Sequence, residues 1–474
     1  MQTSDAQRFF ETDAAQELRA RRSVKSTNKY GNPVVLKSKI LAVLADPTSP
    51  SHVFVAESAA CARRVDVDGG DTKQAYRGPT APVTCLALGG PGGQTLFAGS
   101  WDKTVWSFDR ATRQPGRTYA GHADFVKTVV CGRLAGRYVL LSGGADARII
   151  VWDVAAGTRL HTLRDRGGGS AHTGGGPQGR PAMLAVQALA IDPVATTADE
   201  LWVVSASSDP YIRRWRVRLD GWEQVVDEAV GGRTDGAPRS ASTTKSRSKG
   251  EVQAPGAAAA ATTQHETTVY KLVFDDRPDD DGEVDLWSAS GDGTVKCLAR
   301  RYGFLRARDN ENNDENNTLV HSTHVRAVAV TEAWVITAGR DENLHYWDRT
   351  GVASAAAAAT DGKDDFDEDD DDDNGNGGCY ATVTGHYDEV TDLVVLADGK
   401  RLCSVSLDGT VRTWPLDKAG VDALVRRQKE DRAKGPDAAA DDDDDDEVRG
   451  AAAKPENAMT AEEEAELAAL MDDD

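Results

Sequence analysis

The sequence predicts an all-β protein, a seven-bladed β-propeller interrupted by low-complexity insertions and followed by an acidic C-terminal tail. Three observations predict it: one hairpin pattern returns six times in 474 residues, a degenerate seventh copy precedes them, and the irregular spacings coincide with low-complexity segments. The pattern reads apolar-small-small-x-Asp-x-x-apolar-x-apolar-Trp. Its copies are AGSWDKTVWSF around Asp102, SGGADARIIVW around Asp146, SASSDPYIRRW around Asp209, SASGDGTVKCL around Asp292, TAGRDENLHYW around Asp341 and SVSLDGTVRTW around Asp408. Each alternates with period two on both sides of a turn residue, which is the hairpin signature. Hairpins of one type repeated along a chain imply radial repetition.

The first blade carries no turn Asp. It is found by counting back from Asp102 to Ser58, within VFVAESAACARRVDV, which keeps the strand-turn-strand rhythm. The other intervals between the Asp residues are 44, 63, 83, 49 and 67 residues, against a repeat unit of roughly 40 to 45. The interval of 63 holds the Gly-rich stretch of about 166–180, that of 83 a Ser/Ala/Gly-rich stretch of about 231–263, and that of 67 an Ala-rich and poly-Asp stretch of about 352–378. Such polymers bury too little apolar surface to offset ordering entropy, so disordered loops are expected there. The last blade ends after its third strand at Trp414 and needs a fourth strand from elsewhere. Pro33 to Lys37 (PVVLK), just before the first inner strand at Lys39 to Ala45, is the natural supplier, and the closure removes a free sheet edge. The expected organisation is therefore a flexible segment 1–30, a propeller 31–417 and a tail 418–474.

These segments resemble the WD-repeat (WD40) propeller family, because several also carry a Gly-His upstream of the Asp and a Trp-Asp ending the third strand. The resemblance covers about residues 31–417. It implies a buried hydrogen-bonded tetrad of His, Ser or Thr, Asp and Trp in each regular blade. By pattern three are complete: His122, Ser142, Asp146, Trp152; His321, Thr337, Asp341, Trp347; and His386, Ser404, Asp408, Trp414. The other blades depart from it. Asp102 has Ala98 and Phe108 in place of the hydroxyl and the Trp, Asp209 lacks the His, and Asp292 has Leu298 in place of the Trp. Those blades are expected to be the more deformable.

Charge and composition narrow the function. The formal charge of −22 is matched by three acidic tracts, nine acids in 364–373, seven in 441–447 and seven in 462–474, so the remaining chain is near neutral. Without a concentrated basic face, direct nucleic-acid binding is disfavoured. The basic stretches Arg19 to Lys29 and Lys245 to Lys249 read as solvated flexible chain. No signal peptide or run of eighteen apolar residues occurs, so a soluble cytoplasmic or nuclear protein is expected. Six cysteines without a Cys-x-x-Cys pair, among them Cys85, Cys131, Cys297 and Cys403, read as buried free thiols. No cofactor, metal or catalytic residue is assigned. His, Asp and Ser recur around the ring at structural positions, whereas a catalytic triad occurs once. The segment GGGSAHTGGG lacks the Gly-Lys-Ser/Thr of a phosphate loop. Asp279, Asp280, Asp281, Glu283 and Asp285 lack the ligand spacing of a calcium loop.

What remains is a protein-interaction role, as scaffold or adaptor subunit of an intracellular complex. The family resemblance implies docking on the rim that carries the turn Asp and the Gly-His loop, the top face. The residues beside those loops are Trp101, Asp124, Phe125, Tyr211, His324, Arg340, Tyr387 and Glu389, a set rich in aromatics, as interface hot spots are. One alternative is an acidic escort for a basic client such as a ribosomal protein or histone. A lesser one is a substrate receptor of a cullin-type ubiquitin ligase, since Val203 to Arg218 resembles the docking box of such receptors but carries Arg216 where an acid is expected. In the tail, Val421 to Gln428 suggests a short helix. Thr460 to Glu463 form a capping box that opens a second, with Leu467, Leu470 and Met471 on one face as a candidate linear motif.

Overall fold

The computed structural model describes residues 13–165, 182–225, 264–275, 277–278, 282–300, 304, 309–310, 313–316, 318–349 and 379–434. The three insertions, the stretch Lys245 to Lys249, Asp279 to Asp281 and the tail motif Leu467, Leu470 and Met471 lie wholly or almost wholly outside them. The chain forms two units, 1–426 and 427–474. Of the second, only Arg427 to Lys434 is described, the end of a helix in which Arg427 and Asp431 lie 3.9 Å apart.

The first unit holds seven four-stranded antiparallel sheets, which are the seven blades. Their inner strands are Ile40–Ala45, Val83–Gly89, Val126–Leu134, Val186–Ile191, Val269–Phe274, Val325–Val330 and Val390–Val395. Each inner strand contacts the next, and the last contacts the first, so the ring is closed. No single sheet owns a core; apolar side chains meet between consecutive blades. Phe97, Tyr119, Val126, Leu140 and Trp152 fill the gap from blade 2 to blade 3, and Trp334, Tyr346, Leu393 and Trp414 that from blade 6 to blade 7.

The expected closure is present. Val34 pairs with Val411 and Val35 with Thr410, which gives blade 7 its outer strand from the N-terminal side of the chain. The Leu36 amide donates to the Gly409 carbonyl at 2.8 Å and the Thr413 amide to that of Gly31 at 2.7 Å. Blade 1 is also where expected, its second and third strands spanning His52–Glu57 and Cys61–Asp66.

The N-terminal segment departs from expectation. Asp13–Ser26 is a helix, α1, rather than flexible chain. Its basic residues have specific partners: Arg22 lies 2.8 Å from Asp388 and Lys25 2.5 Å from Glu342. Asn28 donates to the Gly385 carbonyl at 3.0 Å, and its side-chain oxygen accepts from Arg412, a guanidinium only 1 % exposed inside blade 7. The post-propeller helix, α2 (Lys418–Lys434), is longer than the sequence suggested. Val421 is fully buried, with Leu424 and Val425 beside it, against the blade 6 and 7 cluster. Tyr380 donates to Asp422 at 2.5 Å.

All six cysteines are free; Cys61, Cys85, Cys297 and Cys403 are buried, Cys131 and Cys379 partly so. Burial pushes the Cys85 and Cys131 thiols up to about 12, which leaves them protonated and unreactive at neutral pH.

Candidate protein-binding face

The top loops are held by a polar chain built from each turn Asp downward. In blade 7, His386 Nδ1 lies 2.9 Å from Asp408, and a carboxylate only accepts, so Nδ1 carries the proton. His386 Nε2 therefore accepts from the Ser404 hydroxyl at 2.6 Å, and Ser404 accepts from Trp414 Nε1 at 2.7 Å. Every donor has an acceptor. Blade 3 repeats the chain with His122, Asp146, Ser142 and Trp152 at 2.9, 2.8 and 2.9 Å. Burial holds His386 below its ordinary range, against the pull of Asp408, which keeps the ring neutral as the chain requires.

Blade 6 corrects the predicted tetrad. Trp347 donates to Thr337 at 2.8 Å and Thr337 meets His321 at 3.0 Å, but Asp341 is bound by His345, at 2.5 Å. The two imidazoles stand edge to face, 4.9 Å between centroids. Burial would lower His345, yet the Asp341 carboxylate overrides it and raises the group to about 9. Burial and the resulting cation push His321 down to about 4.

The irregular blades are tied as well, by substitutes. In blade 5 a His not anticipated, His265, meets Asp292 at 3.1 Å and Ser288 at 2.8 Å. Elsewhere the donor is the third-strand residue four positions after the turn Asp, whose side chain points back at it. Trp106 donates to Asp102 at 3.1 Å, and Arg213 to Asp209 at 2.8 Å. Blade 1 has Arg63 at the equivalent place, 2.5 Å from Glu57 at the end of the second strand. The absence of a His thus does not leave these turns unanchored. Turn geometry is shared too: Ala60, Lys103, Ala147, Gly293, Glu342 and Gly409 all have positive φ. Blade 4 has Pro210 there, whose ring forbids that conformation.

Inside the ring a second pattern appears. Each inner strand has a register shift at its second residue, so Leu41, Thr84, Lys127, Gln187, Tyr270, Arg326 and Thr391 are skipped by their ladders. Such bulges re-aim side chains. All seven line a central cavity of about 320 Å³, with Trp101 at its edge. Lys271 and Asp392, which also line it, pair at 2.7 Å.

The predicted top-face residues have separate fates. Trp101 and Phe125, 39 % and 38 % exposed, stack at 5.1 Å between blades 2 and 3. Asp124 caps the Phe125 amide, and Glu389 holds Arg326 at 3.1 Å. Tyr387 is largely structural, its hydroxyl donating to the Asp408 carbonyl at 2.9 Å. Tyr211 lies beneath the Arg213 guanidinium, His324 accepts from the Arg340 amide through its carbonyl, and the Arg340 side chain is exposed. The set is thus spread around the rim, with one aromatic cluster.

The profile of the family described as WD domain, G-beta repeat, matches residues 70–109, 113–153 and 377–415. These cover parts of blades 1, 2, 3, 6 and 7. In these three segments the chain carries repeats of the WD-repeat type. It is 27 % identical, over all of both chains, to an uncharacterized WD repeat-containing protein of Schizosaccharomyces pombe. A second relative, Mitochondrial division protein 1 of Saccharomyces cerevisiae, is 26 % identical over 31 % of this chain and 20 % of its own length. Two features weighed for function in the sequence have structural partners here. Arg300 binds Glu283 at 3.1 Å and its amide donates to Asp285 at 3.1 Å. Arg216 and Arg218 of the box-like segment converge on Glu200, holding its carboxyl down to about 2. Among the described residues no helix is long and apolar enough to cross a membrane.

Proposed function

We propose that this WD-repeat protein is a non-enzymatic scaffold that docks partner proteins on its top face, beside the mouth of the central cavity. The observation that carries this is the exposed Trp101–Phe125 stack at the edge of a cavity lined by all seven blades. Large aromatics at a concave rim are the usual anchors of interfaces, and burying them against a partner removes apolar surface from water. The box-like segment of blade 4 adds nothing for a ligase-receptor role, since both arginines already share Glu200.

The test is affinity capture with the full chain, followed by mass spectrometry, comparing wild type with Trp101→Ala/Arg340→Ala. The expected result is loss of partners from a variant with an unchanged melting temperature, and retained capture overturns the top-face reading. Capture that survives those substitutions but vanishes with added salt, or on deleting 364–373 and 441–447, supports the acidic escort instead.

A further inference from the structure

Six of the seven side chains around the cavity mouth are accounted for. Thr84 donates to the Val126 carbonyl at 2.6 Å and Thr391 to that of Ile40 at 3.0 Å, each lacing its blade to the next. Gln187 donates to Ser208 at 2.8 Å, and Arg326 lies 5.5 Å over the Tyr270 ring while paired with Glu389. Leu41 is apolar. Lys127 is different: among the described residues no carboxylate lies within ion-pair distance of it. Asp124 attracts it from the adjacent loop, but burial and the like charge of Arg326 prevail and lower the ammonium from its ordinary range. A cation held in a partly desolvated site beside another cation is a place where an added carboxylate gains more than it does at a solvated surface. Two residues before Lys127 in the same loop, Phe125 begins the aromatic stack with Trp101, so cation and apolar platform are adjoining parts of one mouth.

We infer that the cavity mouth is a recognition site for an acidic peptide segment of a partner protein, an Asp or Glu side chain reaching Lys127 and a neighbouring aromatic or aliphatic side chain lying on the Trp101–Phe125 stack. This rests on the top-face reading and specifies its ligand. Single-stranded RNA also stacks on aromatics, but it needs a basic groove along several phosphates, and here three cations line the cavity, two of them already paired with carboxylates.

The test selects binders from a phage-displayed random twelve-residue peptide library on the full chain, with Lys127→Gln, Lys127→Arg and Trp101→Ala variants in parallel. Recovered peptides should carry Asp or Glu within two residues of an aromatic or aliphatic side chain. For the fluorescein-labelled recovered peptide, replacing that acid by its amide and replacing Lys127 by Gln should each weaken binding about tenfold or more, the magnitude of one charge-assisted pair. The two losses should not add, and Lys127→Arg should retain most of the affinity. Peptides that need Trp101 but show no acid preference, or that ignore Lys127→Gln, overturn this inference and leave the top-face reading standing. Recovery of no Trp101-dependent peptide overturns both. Tighter binding of a labelled oligouridine than of any peptide overturns the peptide assignment.

Discussion

Replacing Ser404 by Ala tests the polar chain that anchors the top loops. Ser404, His386 and Trp414 are 0 %, 1 % and 1 % exposed, so water cannot replace the missing hydroxyl. The substitution removes one oxygen and orphans two groups, the Trp414 indole N–H and the acceptor nitrogen of His386. Each unsatisfied buried group costs roughly 1 to 3 kcal/mol, so about 2 to 6 kcal/mol is expected, while the near-isosteric methyl adds little. Ser288→Ala in blade 5 is the internal control. There the hydroxyl meets His265 but no Trp, since the indole position is Leu298, and roughly half the cost is expected. Guanidinium denaturation and calorimetry measure both, and hydrogen exchange at the blade 7 amides reports any local opening that a global transition hides. A double cycle of Ser404→Ala with Trp414→Phe isolates the indole bond, because removing the orphan donor should recover part of the loss. A Ser404→Ala loss no greater than that of Ser288→Ala would refute the reasoning.

His345 is raised to about 9 from 6.5, so the stability it contributes is complete below pH 6.5 and is lost as pH rises through 9. His345→Gln should therefore flatten the fall in melting temperature between pH 6.5 and 9.5; an unchanged slope contradicts the Asp341 pairing. His265 and His386 are lowered from 6.5 by burial, so their effect has the opposite sign, and stability should also fall as pH drops below about 6.5, monitored in the same scans. Leu36→Pro removes the donor to the Gly409 carbonyl just after the closing strand and should cost about 1 to 3 kcal/mol, with increased exchange at Val34, Val35 and Thr413. An unchanged melting temperature there means that the ring does not depend on this closure.

The blades were legible because period-two alternation around an Asp survives any insertion outside the hairpin. The degenerate blade was legible through rhythm alone, and the closing strand through counting: a ring with three strands at one end must borrow a fourth. The donors to the turn Asp were only partly legible. His122 and His386 follow a Gly, whereas His265 follows Gln264 at the edge of a low-complexity stretch and carries no such mark. In blade 6 the pattern points to His321, but Asp341 is bound by His345, four residues on in the third strand, a position where the motif marks no donor. The substitutes Trp106, Arg213 and Arg63 share a position but no chemistry, so no residue-type pattern shows them. The cavity ring escaped because a bulge shifts the alternation by one residue. Helix α1 escaped because it docks through charges whose partners lie more than 300 residues away.

That helix also divides the top face. Arg22 and Lys25 reach Asp388, between Tyr387 and Glu389, and Glu342, two residues after Arg340, so the blade 6 and 7 sector is already contacted by the protein's own N-terminal segment. Asn28 and the Tyr30 carbonyl complete the site by satisfying the buried Arg412, a guanidinium that blade 7 cannot satisfy alone. Partly exposed ion pairs contribute only about 0.2 to 1 kcal/mol each, so the deep anchor at Arg412, rather than the two helix pairs, fixes where the segment lies. Blades 2 and 3 show no such cover among the described residues, and there Trp101 and Lys127 line the cavity while Phe125 stacks on Trp101. Of the eight rim residues marked by the sequence, the two aromatics in this uncovered sector are consequently the ones on which partner binding should depend most, and the cation beside them is the one the motif pattern could not reveal.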